Sequence, residues 1–268
     1  MNTILRATLS LLLGLFTLTA TAANLTDWQH TVIKEVETLY EPIAKAKNQS
    51  FSIEINENSM ALSGGADSDN RKLKVTLDRG LLQSTRLSPD GLRVLVCHEL
   101  AHLFGGSPRK SPPYEWDGPL ASDGLTFMSS EGQADYYASS VCFRQLVAGQ
   151  DHQKALSSSG QNSSRVSQLC KASHSESPEN AMICQRAAYG ALNMLQLAMD
   201  FPISLERQNT TNTPALIHNT YPERQCRLDT VVAGALCRKK FPAILDMMDS
   251  QKNDCDQEEA KRPKCWYR

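Results

Sequence analysis

Residues His98-Glu99-Leu100-Ala101-His102 place two imidazoles at i and i+4, with a carboxylate directly after the first. On an α-helix that spacing puts both rings on one face, about a turn apart, which suits chelation of a single Zn²⁺. Glu99 then stands where a carboxylate can take a proton from water polarised by the metal. The chemistry implied is metal-assisted hydrolysis. A catalytic zinc also needs a third protein ligand and an open position. Among the acids that follow, Glu115, Asp117, Asp123, Glu131 and Asp135, only the last two fall on an expected helix. They too are i and i+4, so one can ligate the metal while the other accepts the free ring N–H of a ligand histidine.

Two helices must position these groups. Ser88-Pro89 is an N-cap followed by a proline at the first helical position, and Gly105-Gly106 stops the chain after Phe104. Apolar residues 92, 94, 95, 96, 100, 103 and 104 nearly encircle that helix, so burial is expected. Burying two imidazoles and a carboxylate without a metal costs several kcal/mol. The second helix is expected from 130 to about 148, after a Pro/Gly/Ser-rich loop over 107–129. Upstream, the capping box Thr26-Asp27-Trp28-Gln29 opens a helix to about Ala46. Alternation marks 51–55 and 72–77 as strands, with 58–62 a third candidate and 64–70 a turn between them. Residues 151–180, rich in Ser, Asn and Gln, read as a long surface excursion. His30, His152 and His174 are expected to be solvated, and His218 is a lesser candidate for the site. Helices are expected over 179–200 and from Pro222. The class is α+β: mainly helical, with a small antiparallel sheet in the N-terminal third.

Met1 to Arg6, the apolar stretch 9–18 and the small residues Ala20 and Ala22 read as a secretory signal peptide, residues 1–22. That leaves 23–268 as one domain, periplasmic or secreted. Eight cysteines in an exported chain indicate disulfides. Cys226 and Cys237 lie in one expected helix, roughly 16 Å apart, so each must pair elsewhere. Cys97 either pairs with Cys142 or stays a buried thiol, and most bridges are expected in the second half. A formal net charge of −1 argues against nucleic acid or anionic lipid as partner. After the signal, no apolar run reaches the roughly 20 residues a membrane span needs.

Several of these segments together resemble the gluzincin metallopeptidases of the HtpX and CAAX prenyl endopeptidase family, over roughly residues 51–235. Asn58-Ser59-Met60-Ala61, the 72–77 strand and Gly80-Leu81-Leu82 look like that family's N-A-F-A edge strand, following strand and G-L-L turn. Glu131-Gly132-Gln133-Ala134-Asp135 resembles its E-x-x-A-D helix, in which the glutamate ligates zinc and the aspartate orients a histidine. Thr220-Tyr221-Pro222 with Arg227 is similar to its T-H-P motif followed by an arginine. The resemblance implies a zincin-like metallopeptidase domain with zinc on His98, His102 and Glu131, Asp135 behind a histidine, and Glu99 as the base. Tyr221 and Arg227 are expected at the catalytic site. Tyr221 stands where the family usually has a histidine that stabilises the oxyanion, and a phenol O–H can donate the same hydrogen bond. Arg227 is expected to pair with a buried active-site carboxylate, the alternative being a clamp on the substrate. Ser59 and Met60 replace the usual Ala and Phe, and the chain is most similar to the soluble periplasmic branch. The substrates implied are polypeptides, unfolded or misassembled envelope proteins, adding as an extended strand to the edge near Met60. The alternative is an inactive or latent zinc-binding assembly or chaperone-like factor. There a side chain from the 107–129 loop, or His152 or His174, closes the open metal position.

Overall fold

The computed structural model describes residues 25–69, 71–113, 119–197 and 202–268, and opens with helix α1 (Asp27–Lys45). Gln29 closes its N-terminus by accepting from the Thr26 N–H at 2.8 Å, and its own amide reaches the Leu82 carbonyl. Val32, Val36, Tyr40 and Ala44 recur along one helix face and are fully buried. Three strands follow, β1 (Ser50–Asn56), β2 (Gly64–Asp69) and β3 (Lys72–Asp78), in the spatial order β1-β3-β2.

The sheet is mixed, which corrects the expected antiparallel one. β2 and β3 form an antiparallel hairpin, but β1 runs parallel to β3, with Phe51 beside Leu73 and Ile53 beside Val75. β3 buries Leu73, Val75 and Leu77, and takes the centre. Residues 58–62 are not a strand. They fold back on the short helix α2 (Arg79–Gln83), where the Gly80 N–H donates to the Ser59 carbonyl at 3.1 Å. The second partner of β3 is instead the Gly/Asp/Ser-rich stretch expected as a turn. A ladder from Gly64↔Leu77 to Asp69↔Lys72 overrides its composition, because strand preference depends on the neighbour more than on the residue.

Helix α3 (Pro89–Phe104) is capped by Ser88, which accepts from the Gly91 N–H at 3.0 Å. Every residue over 91–104 except Leu103 is buried, because α1, β2, β3 and the helices that follow all pack around α3. Helix α4 (Glu131–Tyr137) continues into a π-helical turn, Ala138–Phe143, and a last α turn, α5 (Arg144–Leu146). Residues 151–180 are no excursion. They form α6 (His152–Ser158) and α7 (Ser164–Ser173), which pack on α8 (Pro178–Gln196). Their composition is polar because only one side of each short helix faces inward, as Val166, Cys170 and Ser173 do on α7. His152 and His174 are consequently buried, not solvated. His152 Nδ1 lies 2.8 Å from Arg186 Nη1, and His174 Nε2 lies 2.9 Å from the Ala235 carbonyl. The last helix, α9 (Arg224–Leu236), leads into an irregular tail.

All eight cysteines are paired. Cys97–Cys142 ties α3 to the π-turn, and Cys170–Cys184 ties α7 to α8. Cys226–Cys265 and Cys237–Cys255 fasten the tail to α9, so the two cysteines of the α9 segment do pair elsewhere. Such bridges fit an oxidising compartment. No helix among the described residues is long and apolar enough to cross a membrane. The expected signal peptide lies outside the described residues.

One buried acid on α9 makes stability depend on pH. Asp229 accepts from the Asn209 N–H at 2.6 Å and from the Gln225 amide, yet desolvation outweighs both and raises its carboxyl to about 6. The unfolded chain titrates near ~3.9. Between roughly pH 4 and 6 the folded state therefore binds more protons, so this group removes stability as pH rises through that window and contributes nothing further above it. In denaturant unfolding, Asp229→Asn should gain up to ~3 kcal/mol on the wild type between about pH 4 and 6.5. Parallel stability curves would contradict it.

Candidate metal centre

His98 and His102 face each other across one turn of α3, ring centroids 4.9 Å apart and planes nearly perpendicular. Each ring is held from behind through Nδ1. Asp135 Oδ1 lies 2.8 Å from that of His98, and the Ser129 carbonyl 2.8 Å from that of His102. Both Nε2 atoms turn to the same point, where Glu131 Oε2 meets them at 3.1 and 3.5 Å. Ligand atoms held 2.0–2.1 Å from a tetrahedral zinc stand about 3.3 Å apart, so this spacing is compatible with a ligand set as well as with hydrogen bonding. The three donors lie within 4.8 Å of one another on three buried residues, a group that could hold a metal ion.

The ionisable groups around that point stabilise one another's charges. Burial alone would push the Asp135 carboxyl up, but Arg227, which grips it with two hydrogen bonds of 2.7 and 2.8 Å, and His98 together hold it below the usual range. Burial likewise opposes ionised Glu131, and the His102 and His98 contacts outweigh it, keeping its carboxyl well below the usual range. Burial disfavours charged His98, yet Asp135 lifts it to about 9. Glu131 and Asp135 thus stay ionised, the form in which a carboxylate can ligate a metal or accept from a ligand histidine.

The 107–129 loop supplies two partners that sequence reasoning missed. An antiparallel bridge pairs Arg109 with Ser129, and Lys110 is pinned next to it, its N–H on the Met128 carbonyl (2.8 Å) and its carbonyl on the Thr126 N–H (3.0 Å). From there Lys110 Nζ reaches Glu131 Oε1 at 2.7 Å. A protonated amine has no lone pair, so Lys110 does not occupy a metal position. Ser129 acts through its carbonyl, which every residue has, and a lysine in a polar loop is too common to signal anything. Asp123 pairs with the fully buried Arg109, and the His218 ring holds the Arg109 carbonyl at 2.7 Å. Glu115 and Asp117 lie outside the described residues. Neither His152 nor His174 can block the centre, since each is buried against the partners given above.

Glu99 is buried beside the ligands, and no hydrogen bond or ion pair from the described residues reaches its carboxylate. The edge strand β2 begins against it. A Cβ on Gly64 would stand 3.1 Å from Leu95 Cδ2 and 3.4 Å from Glu99 Cγ, so glycine permits the close approach of strand to helix. Tyr221 is 61% exposed, with its ring 4.6 Å from the Arg227 guanidinium carbon. Its hydroxyl is pushed up to about 12, first by desolvation and then by the charge of Glu131, so it remains a donor at neutral pH.

Two devices lock the ligand helices together. Cys97, adjacent to His98, is bonded to Cys142 just beyond α4. The tail then covers α4 at Gly132, where a Cβ would come within 2.3 Å of the Trp266 ring. No protein-family model, curated protein or solved structure matches this chain.

The purified protein should hold one divalent metal ion per chain by elemental analysis. His98→Ala and His102→Ala should abolish it, Asp135→Asn should weaken it about 10–100-fold in chelator competition, and Glu99→Gln should retain it. An empty Glu99→Gln would make Glu99 itself a ligand.

Proposed function

We propose that this protein is a zinc-dependent endopeptidase acting outside the cytoplasm on extended polypeptides. The observation that carries the reading is the contrast between Glu99 and the acids around it. Glu131 is engaged by His98, His102 and Lys110, and Asp135 by His98 and Arg227, while Glu99 beside them has no hydrogen-bond or ion-pair partner among the described residues. A carboxylate left free next to two imidazoles and a ligand carboxylate is arranged as a general base. The donor set supports zinc with one position open, and the segments resembling the HtpX and CAAX prenyl endopeptidase family support a zincin-like domain.

When bound, zinc polarises the scissile carbonyl and acidifies water. The remaining tasks fall to the chain itself. Glu99 takes a proton from the attacking water on a carboxylate oxygen as the new C–O bond forms. It returns that proton to the amide nitrogen as the C–N bond breaks. Asp135 and the Ser129 carbonyl hold the two rings in one tautomer and orientation. Arg227 keeps Asp135 ionised and carries the Tyr221 ring, whose O–H donates to the substrate oxygen as it becomes negative. The exposed edge of β2, starting beside Glu99, offers backbone groups to a substrate strand. Such pairing tolerates many sequences and suits unfolded or misassembled envelope proteins.

Wild type and Glu99→Gln, compared on a whole envelope extract, should differ in new protein N-termini read by mass spectrometry. Identical N-terminal profiles would favour the assembly or chaperone-like reading, in which the same metal site is inactive. On a cleavable peptide, Tyr221→Phe should lower kcat roughly a hundredfold, the equivalent of ~3 kcal/mol, with KM and metal content unchanged. Tyr221→His should recover much of that loss, whereas full activity in the Phe variant would remove Tyr221 from the mechanism.

A further inference from the structure

We propose that Lys110 is a positioning residue that makes Glu131 a one-oxygen metal ligand; this rests on the metal reading of the His98–His102–Glu131 group. The two oxygens of Glu131 keep different company. Oε2 faces both Nε2 atoms, at 3.1 and 3.5 Å, while Oε1 lies 2.7 Å from Lys110 Nζ. A carboxylate can also bind a metal through both oxygens, and doing so here would take a site of three protein ligands and one water from four-coordinate to five, crowding the position left for substrate. The lysine engages Oε1 with a short, charge-assisted hydrogen bond, directed at a carboxylate that is nearly shielded from water. Its reach is set by the backbone. Lys110 is held on both sides, with its carbonyl accepting from both the N–H and Oγ1 of Thr126, each at 3.0 Å. The same bridge presents the Ser129 carbonyl to His102, so one loop segment orients the second and third ligands together.

The test uses the full-length protein with cobalt in place of zinc. Wild type should show the intense visible bands of four-coordinate cobalt. Lys110→Met keeps the apolar stem and removes the donor, which frees Oε1 to bind. Its bands should weaken severalfold, and zinc X-ray absorption should show the coordination number rising from four to five. Lys110→Arg, which can donate to the same oxygen, should restore the wild-type spectrum. If Lys110→Met does not fold by circular dichroism, Lys110→Leu, which likewise carries no donor, serves as the second truncation. A lysine that merely stabilised the loop would shift the melting temperature and leave the spectrum unchanged, and that result overturns the proposal. A five-coordinate wild type overturns it as well. Wild type that takes up no cobalt or zinc overturns the metal reading itself, and is distinguishable from a four-coordinate wild type with a silent Lys110→Met.

Discussion

Two imidazoles and a carboxylate can sit side by side inside a protein only if each is compensated from its far side, and this requirement organises the molecule. His98 on α3 is backed by Asp135 on α4, which is backed in turn by Arg227 on α9. That single relay sets the relative positions of three helices. His102 is backed by the Ser129 carbonyl and Glu131 by Lys110, which brings in the 107–129 loop. An unpaired member of such a network is costly at low dielectric, so the helices and the loop have to close around it together.

Covalent bonds and close packing make that closure rigid. The Cys97–Cys142 bridge joins the chain beside His98 to the helix that carries Glu131 and Asp135, and a disulfide typically contributes about 2–4 kcal/mol. The tail extends the same arrangement. Cys265 is bonded to Cys226, which places Trp266 on Gly132. Arg262 donates to Gln133, whose amide holds the Gly105 carbonyl at the end of α3. Donors carried on rigid elements keep their geometry without reorganising when a ligand arrives.

One side of the centre is left less enclosed. Among the described residues Glu99 has no hydrogen-bond or ion-pair partner, β2 is one of the two edges of the sheet, and Tyr221 stands over Arg227 with most of its surface in water. The contrast between a compensated interior side and a less compensated outer side is what the proposed hydrolytic reading rests on.

The amino-acid sequence by itself determined the parts that depend on local spacing. Ser88-Pro89 starts α3, the helical repeat turns His98 and His102 to one side, and the same repeat puts Glu131 and Asp135 on one face of α4. Helix length alone also forbids a Cys226–Cys237 bond. The tertiary structure decided whatever depends on a distant partner. It made β1 parallel to β3, drew the Gly/Asp/Ser-rich 64–69 stretch into the sheet, and buried the polar-looking helices of 151–180. It also chose Ser129, Lys110 and Trp266 as supports of the candidate metal site. A helix repeat fixes which side chains share a face whatever surrounds it. A backbone carbonyl, a loop lysine or a tail tryptophan leaves no such pattern, because its role exists only once the chain has folded back upon itself.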